Sequence, residues 1–303
     1  MKRQQGGPEG LLLVDKPAGW TSHDVVAKVR RLAGQRRTGH TGTLDPAATG
    51  LLVLCLGRAT RLVEYMAGHG KAYSGVIKLG ERTNTDDAEG EVLERRGVPQ
   101  IDRARLDELE TAFSGEIQQV PPAYSAIKVS GQPAHRAARK GVALELRARR
   151  VTIHELRLDA VAADELTIEA ACSAGTYIRS LARDIGEALG CGAHLASLRR
   201  TRVGAFGVED GWTIEELEAV LPRHIDEVLL AADEALTGMN AALLPAAIEA
   251  ETAVVTEGAR HDVALRIYDS EGRFVGVGEV ARAGRLRPVK VFAPPLGLPQ
   301  GPP

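Results

Sequence analysis

Residues 39–51 combine three glycines, one acid and one proline in a short space, which limits what the chain can form there. The segment reads Gly-His-Thr-Gly-Thr-Leu-Asp-Pro-Ala-Ala-Thr-Gly-Leu and leads into the apolar residues 51–56. Glycine reaches backbone conformations closed to other residues, and Pro46 biases Asp45 towards an extended backbone. The segment therefore predicts a loop that holds a single carboxylate in a fixed place, as a reaction centre requires.

The pair Asp45 and Pro46 also allows a second interpretation. Asp is a common N-cap and Pro is common at the first helical position, so the pair is an ordinary way to start a helix. On these two residues alone the helix start is favoured. Only the wider sequence decides between a helix start and a reaction centre.

Length and composition favour a folded, soluble protein. With 303 residues, 44% of them hydrophobic, the chain can form one large domain and a small one. The longest aliphatic stretch, residues 51–56, is too short to span a bilayer, and residues 1–7 lack the apolar region of a signal peptide. We therefore expect a cytoplasmic protein. Cys55, Cys172 and Cys191 have apolar neighbours and no Cys-x-x-Cys pairing, so buried thiols are expected rather than disulfides or metal ligands.

The charge distribution is more informative than the net charge of −2. Acids gather within residues 209–234, whereas basic residues form three clusters. The clusters are Lys28, Arg30, Arg31, Arg36 and Arg37; Lys128, Arg136, Arg139, Lys140, Arg147, Arg149 and Arg150; and Arg199, Arg200 and Arg202. They predict a basic face that follows a nucleic-acid backbone, although solvated helix faces would give the same runs.

Hydrophobic periodicity predicts both strands and helices in the first 200 residues. The predicted strands are 11–14, 73–79 and 166–172, and the predicted helices are 22–33, 106–113 and 176–189. Ser22 is the expected N-cap of the first helix and Gly34 its stop. Arg179 lies in the first turn of the last helix, where a cation faces the positive end of the helix dipole. A partner anion would explain Arg179, and an ordinary surface arginine is the alternative.

The C-terminal part changes character after a connector at residues 237–240. Short predicted strands joined by glycine-containing turns indicate a small β domain; they cover residues 263–269, 274–280 and 289–292. The expected organisation is a large domain at 8–237, a small domain at 238–293, and disordered tails at 1–7 and 294–303.

Six motifs occur in a fixed order along the chain, and together they resemble the TruB family of tRNA pseudouridine synthases. They are Asp-Lys-Pro-Ala-Gly-Trp-Thr-Ser at 15–22, Gly-His-Thr-Gly-Thr-Leu-Asp-Pro-Ala-Ala-Thr-Gly at 39–50, Lys-Ala-Tyr at 71–73, Pro-Pro-Ala-Tyr-Ser-Ala-Ile-Lys-Val-Ser-Gly at 121–131, Gly-Thr-Tyr-Ile-Arg-Ser-Leu at 175–181 and His-Leu-Ala-Ser-Leu-Arg-Arg at 194–200. The resemblance implies an α+β pseudouridine synthase fold, a mixed and largely antiparallel sheet flanked by helices with an active-site cleft across it. The C-terminal part would be a shortened PUA-like RNA-binding module.

The implied reaction breaks the bond from N1 of uracil to C1′ of ribose, turns the base and joins its C5 to C1′, without cofactor or metal. Asp45 aligns with the family's catalytic aspartate, which either attacks C1′ or promotes proton loss at C2′. Arg179 would pair with Asp45 and keep it ionised. Tyr73 would stack on the target base and act as a base in later proton steps, and Tyr177 is similarly placed.

Further residues are assigned to RNA. The target base must leave its stack before the carboxylate can reach C1′, and His40 aligns with the histidine that takes its place. Leu198 is assigned to substrate binding. Lys16, Lys71 and Lys128 are assigned to RNA backbone or loop support. At His135 the family commonly has an aromatic residue; imidazole can still stack or bind phosphate.

The resemblance implies a stand-alone, monomeric enzyme that forms pseudouridine-55 in the T arm of tRNA, with no membrane association and no obligatory protein partner. The catalytic subunit of a guide-RNA particle is an alternative, which the short C-terminal module disfavours. A tRNA-folding RNA-binding protein without chemistry is another, which the intact Asp45, Tyr73 and Arg179 disfavour. A carboxylate hydrolase would need a second, paired acid.

Overall fold

The computed structural model describes residues 7–125, 128–129, 132–133, 146–243, 263–280 and 286–292, with the backbone alone at 128–129, 132–133 and 286–288. The strands are β1 Gly10–Lys16, β2 Thr38–His40, β3 Thr49–Leu56, β4 Lys71–Leu79, β5 Glu81–Thr83, β6 Val92–Arg95, β7 Gly115–Gln119, β8 Lys128–Val129, β9 Gln132–Pro133, β10 Arg149–Ala162, β11 Glu165–Cys172, β12 Ala193–Val203, β13 Phe206–Gly207, β14 Ala241–Leu243, β15 Ala264–Tyr268, β16 Phe274–Val280 and β17 Leu286–Val291. The α-helices are α1 Ser22–Leu32, α2 Val63–Ala67, α3 Arg103–Phe113, α4 Ile178–Ala188, α5 Ile214–Val220 and α6 Ile225–Val228. Short 3-10 helices cover Gly57–Leu62, Val208–Asp210 and Ala232–Leu236.

A large mixed sheet organises the described residues up to Gly207. Its strand order is β1-β3-β12-β4-β11-β10-β7, with β2 on β3 and β13 on β12. Its pairings are antiparallel except between β3 and β12, where Thr49 and Gly50 lie parallel to Arg199 and Arg200. The predicted mixed, largely antiparallel sheet is confirmed.

Helices α3 and α4 cover one face of the β4, β11 and β10 region. Leu109 of α3 and Leu181 of α4 are buried in one cluster with Ile77, Leu166 and Ile168 of the strands. The face of α4 that meets the sheet carries the buried apolar residues Ile178, Leu181 and Ile185, and the first turn of the helix is therefore held at the cleft. The packing of α4 against the sheet places Arg179 at the cleft. The sequence pattern indicates only that Arg179 lies in the first turn of a helix.

The N-cap of helix α1 lies one residue earlier than predicted. Its N-cap is Thr21, because the Thr21 side chain accepts from the Asp24 N–H and the Asp24 side chain accepts from the Thr21 N–H. Ser22 is the first helical residue and is buried. The predicted stop is confirmed, since the helix ends at Leu32 and Gly34 has a φ of 60°.

The C-terminal strands form a separate sheet in the order β14-β15-β16-β17. Strands β15, β16 and β17 correspond to the three predicted strands, whereas the sequence pattern did not predict β14. Val277 and Phe292 of this sheet share a buried cluster with Leu62 and Met66 of the large domain. The domain limit at residue 237 stays a prediction, and the predicted tail 294–303 lies outside the described residues.

Two expectations from composition can be compared with the structure. All three cysteines are free and buried, as predicted. Among the helices of the described ranges, none has both the length and the apolar character needed to cross a membrane.

Candidate active site

The loop that carries Asp45 connects β2 to β3 and is anchored by α1. The Ser22 hydroxyl accepts from the Leu44 N–H at 2.9 Å and donates to the Leu44 carbonyl at 3.1 Å. The Ala48 N–H donates to the Asp45 carbonyl at 3.1 Å and closes a turn, but no helix follows. The helix-start interpretation is therefore wrong, and a fixed loop is observed.

Lys16 supports this loop from one side. Its side chain is fully buried, and Nζ donates to the carbonyls of Pro17, Trp20 and Pro46 at 2.9, 2.7 and 3.1 Å. Burial lowers the pKa of Lys16 to about 8, and the nearby Asp45 carboxylate opposes that shift. Of the two roles predicted for Lys16, this position suits loop support, because a buried ammonium cannot reach an RNA phosphate.

Arg200 supports the loop from the other side. Only 1% of the residue is exposed. Its Nε donates to the Leu51 carbonyl at 2.7 Å and its Nη2 to the Gly42 carbonyl at 3.1 Å. Arg200 also hydrogen-bonds the Tyr73 side chain. The predicted place of Arg200 on a basic RNA-binding face is wrong, because the guanidinium is buried and donates to backbone carbonyls.

The other two residues of this basic cluster, Arg199 and Arg202, differ in their partners. Arg199 holds both carboxylate oxygens of Asp15, at 3.1 and 2.7 Å, which leaves Arg202 as the exposed cation of the three without a described acidic partner. The three basic residues are close together in the sequence, but they do not form one exposed basic surface.

One of the three loop glycines requires its special backbone. Gly50 has a φ of 98°, and a Cβ built on it would lie 2.2 Å from the Arg200 carbonyl oxygen. This is the close approach where β3 and β12 run parallel. Gly39 and Gly42 have no positive φ, so the expectation of unusual conformations at those two positions is wrong.

A cavity of about 820 Å³ opens over the loop. Six of the predicted site residues line it: Asp45, Lys71, Tyr73, Tyr177, Arg179 and Leu198. Lys16 and His40 lie outside its lining. The Lys128 side chain and His135 lie outside the described residues, so their assignments stay predictions.

Arg179 joins two carboxylates at the base of the cavity. Its Nη2 lies 3.1 Å from Oδ2 of Asp45, and its Nη1 lies 3.0 Å from Oδ2 of Asp87. The same guanidinium donates to the carbonyls of Thr85 and Tyr124 at 3.0 and 2.9 Å. The Arg179 side chain is 8% exposed, whereas that of Asp45 is 44% exposed. The cation is thus fixed in the wall, and the Asp45 carboxylate faces the cavity.

Burial and the Arg179 guanidinium act in opposite directions on the pKa of Asp45. Burial raises its pKa above that of an ordinary aspartate, the Arg179 guanidinium opposes the rise, and Asp87 adds to it. The pKa of Tyr73 is raised by burial, with Arg200 opposing. Lys71 has a pKa lowered by burial and by Arg200, and its Nζ donates to the His69 carbonyl at 2.7 Å.

His40 lies at the end of β2, beside the cavity rather than in it. Its ring meets that of His23 edge-on at 5.7 Å, and His23 lines the cavity. Burial lowers the pKa of His40. Its Nδ1 is buried without a hydrogen-bond partner among the described residues. A neutral, partly buried imidazole at the cavity edge is compatible with the predicted contact to unstacked RNA.

Sequence reasoning missed Asp87, the second carboxylate on Arg179. It lies in residues 84–91, a polar turn with three other acids and a glycine, and nothing in that composition distinguishes the acid that faces the cavity. Sequence reasoning also missed the anchoring role of Ser22 and the buried role of Arg200. All three depend on contacts between segments far apart in the chain.

Solved structures place this fold in a known class. The chain superimposes with a TM-score of 0.72 on a chain of a Cbf5-Nop10-Gar1 complex at 25% identity, covering 94% of this chain and 85% of that one. Another match, an H/ACA RNP bound to a substrate RNA containing 2′-deoxyuridine, has the same TM-score at 24% identity, with coverage of 96% and 87%. The sheet and its flanking helices define a pseudouridine synthase fold.

Family models and curated relatives narrow the class. Residues 30–178 match "TruB family pseudouridylate synthase (N terminal domain)", residues 179–243 match "tRNA pseudouridylate synthase B C-terminal domain", and residues 253–292 match "Pseudouridine synthase II TruB, C-terminal". The tRNA pseudouridine synthase B of Thermobifida fusca (strain YX) is 47% identical over 298 residues, 94% of this chain and 99% of the relative. That of Arthrobacter sp. (strain FB24) is 44% identical over 302 residues, 94% and 97% of the two chains. The chain belongs to the TruB family.

Proposed function

We propose that this protein isomerises uridine to pseudouridine at position 55 in the T loop of tRNA. The observation that carries the proposal is the Asp45 carboxylate, which faces a nucleotide-sized cavity while Arg179 holds it from the buried side. Relatives named tRNA pseudouridine synthase B cover nearly the whole chain and support tRNA as the substrate.

The geometry supports a reaction driven by one carboxylate. Asp45 attacks C1′ of the flipped nucleotide or promotes proton loss at C2′, and the base detaches, turns and rejoins through C5. Arg179 stabilises the ionised carboxylate and fixes its direction. Tyr73 and Leu198 line the same cavity and offer an aromatic and an aliphatic contact for the base. Tyr73 is also the base in the later proton steps; because burial raises its pKa and favours the neutral phenol, this role requires the Arg200 guanidinium, which lowers the pKa, to stabilise the phenolate.

Three further features complete the proposal. The protein acts alone, as a monomer, in the cytoplasm. The first feature, action without a guide-RNA particle, is supported by relatives at 42–47% identity that carry the tRNA-specific name, whereas the likeness to the Cbf5-Nop10-Gar1 complex stands at 25%. A pure RNA-binding role is disfavoured because the carboxylate, its arginine and the tyrosine converge on one cavity.

The test is incubation of purified protein with unmodified tRNA, followed by mapping of pseudouridine along the RNA. We expect a single site at position 55. Asp45→Asn should abolish turnover and leave tRNA binding within a modest factor, because it keeps the loop shape and removes the reacting charge. Tight tRNA binding by the wild type with no pseudouridine would instead establish a binder, and modification at another position would refute the assignment to position 55.

A further inference from the structure

The turn at residues 84–91 joins β5 to β6 and lies at the edge of the cavity. Thr85, Asp87 and Glu89 line the cavity wall. The Asp87 carboxylate reaches Arg179, so the position of this turn decides whether Arg179 has one acidic partner or two.

Asp86 holds this turn in an unfavourable backbone conformation. Its φ is 60°, and among the described residues it is the one non-glycine position with a positive φ. Left-handed backbone at a residue with a side chain costs energy and persists where the surroundings fix it, commonly at functional sites.

Two contacts fix Asp86. Its carbonyl accepts from the Leu195 N–H at 3.0 Å, which ties the turn to β12. Its Oδ2 accepts from Nη1 of Arg183 at 2.8 Å, and the two side chains are only 15% and 18% exposed. Arg183 in turn donates from Nη2 to the Val120 carbonyl at 2.9 Å, so the pair is anchored to a third segment.

Arg183 lies four residues after Arg179 on α4, so both arginines project from the same helix face. Each takes one of two consecutive acids: Arg183 takes Asp86 and Arg179 takes Asp87. Consecutive carboxylates can reach neighbouring arginines in this way only if the backbone turns sharply between them, as the left-handed Asp86 allows.

We propose that Asp86 and Arg183 are positioning residues whose ion pair holds the 84–91 turn so that Asp87 meets Arg179, and through Arg179 sets the direction of the Asp45 carboxylate. The inference rests on the proposed function. It concerns a pair that is not itself part of the cavity lining.

The test compares single-turnover rates at saturating enzyme for Asp86→Asn and Asp184→Asn. Asp184 is the matched control because it is the other carboxylate on Arg183, at 2.9 Å, yet it lies on α4 and holds no turn. Asp86→Asn should lower the rate about tenfold or more, since small displacements of a reacting group are costly. Asp184→Asn should stay within about twofold, and tRNA affinity should be unchanged in both.

Two further variants separate positioning from general stability. Asp86→Gly accepts a positive φ without cost and removes only the carboxylate, so it should fold and still lose the rate. In an Asp87→Asn background, Asp86→Asn should add less than about twofold, because both changes act through the same contact. A wild-type rate in folded Asp86→Asn or Asp86→Gly, or fully multiplying effects with Asp87→Asn, would overturn the proposal. Absence of pseudouridine with wild-type protein would instead reject the proposed function.

Discussion

Arg179 divides one guanidinium between Asp45, Asp87 and two carbonyl oxygens, with all four contacts between 2.9 and 3.1 Å. The planar group presents its donors in fixed directions, which a lysine ammonium cannot reproduce. The shape of the residue is therefore as important as its charge, and exchanging it for lysine separates the two.

Arg179→Lys should cause a large loss of turnover, at least about a hundredfold, because the loss of several charge-assisted hydrogen bonds at about 1.5–3 kcal/mol each lets the Asp45 carboxylate move. Binding of tRNA should change little, since the partner of Arg179 is Asp45 rather than phosphate. The measurement is the single-turnover rate at saturating enzyme beside the tRNA dissociation constant. An intact rate with weakened binding would place Arg179 on the RNA-contact surface.

The raised pKa of Asp45 predicts how the reaction rate depends on pH. The reaction needs the ionised carboxylate, so the single-turnover rate should fall on acidification. Because burial raises the pKa, this fall should occur above the value of about 3.9 that is usual for aspartate. The rate is measured from neutral to acidic pH with saturating enzyme, and tRNA binding is followed at each pH as the control. A fall centred at or below the usual value would contradict the raised pKa of the Asp45 carboxyl.

Sequence patterns captured Arg179 but not Arg200, and the reason is physical. A cation at the start of a helix is at odds with the helix dipole, so Arg179 required an explanation from local rules alone. Arg200 lies in a strand segment rich in charged residues, and such a pattern predicts exposed side chains. Its burial depends on backbone carbonyls of the Asp45 loop, about 150 residues earlier, and no local pattern records that contact.

At the scale of elements, the Asp45 loop is positioned by the seam between β3 and β12. The two strands run parallel there for only Thr49 and Gly50 beside Arg199 and Arg200. The approach is so close that Gly50 has no room for a side chain. The sequence predicts a constrained loop but does not distinguish its three glycines, because the requirement at Gly50 comes from the neighbouring strand β12.

Gly50→Ala should therefore destabilise the protein strongly. A left-handed alanine costs about 1–2 kcal/mol and overpacking against the Arg200 backbone adds about 1–3 kcal/mol, so the free energy of unfolding should fall by roughly 2–5 kcal/mol. Gly39→Ala is the matched control, because the nearest atom to its added Cβ is Thr60 Cγ2 at 4.0 Å. Denaturant unfolding of both variants gives the comparison. Equal stability of the two would mean that the seam can widen without cost.

The predicted limits of several helices and strands are accurate. Helix α4 and strands β4, β11 and β16 lie within two residues of their predicted limits. The N-cap of the first helix was misplaced by one position because Thr21 and Ser22 are both good N-caps. The capping box with Asp24 favours Thr21, and Ser22 is then free to anchor the Asp45 loop.

At the scale of the whole molecule, the two sheets are joined by a shared apolar cluster and by polar contacts. Lys290 of the small sheet lies 2.7 Å from Glu64, and Arg61 donates to the Val291 carbonyl at 2.8 Å. Because Val277 and Phe292 are buried in that cluster, the small domain is fixed against the catalytic domain and cannot be removed without exposing apolar surface. Any RNA contact that it makes is therefore held in a constant position relative to Asp45.

The surface charges also separate at this scale. Of the first basic cluster, Lys28 pairs with Glu218 and Arg30 donates to the Thr38 carbonyl. Arg31, Arg36 and Arg37 are exposed and have no described acidic partner. These three can displace counterions from an RNA backbone, so they, rather than all five residues of the first cluster, form its exposed basic surface.

The affinity for tRNA should fall linearly with the logarithm of salt concentration, with a slope of roughly 0.7–0.9 per phosphate contact. Replacing Arg31, Arg36 and Arg37 together by glutamine should reduce that slope by roughly 2 to 3, since three contacts are lost. Arg105→Gln is the control, because Arg105 is also exposed but pairs with Glu108 at 2.6 Å on α3, outside the three basic clusters. The slopes come from tRNA dissociation constants across a salt series. An unchanged slope in the triple variant would remove this face from the tRNA contact, while an equal reduction per arginine removed in Arg105→Gln would show only a general effect of net charge.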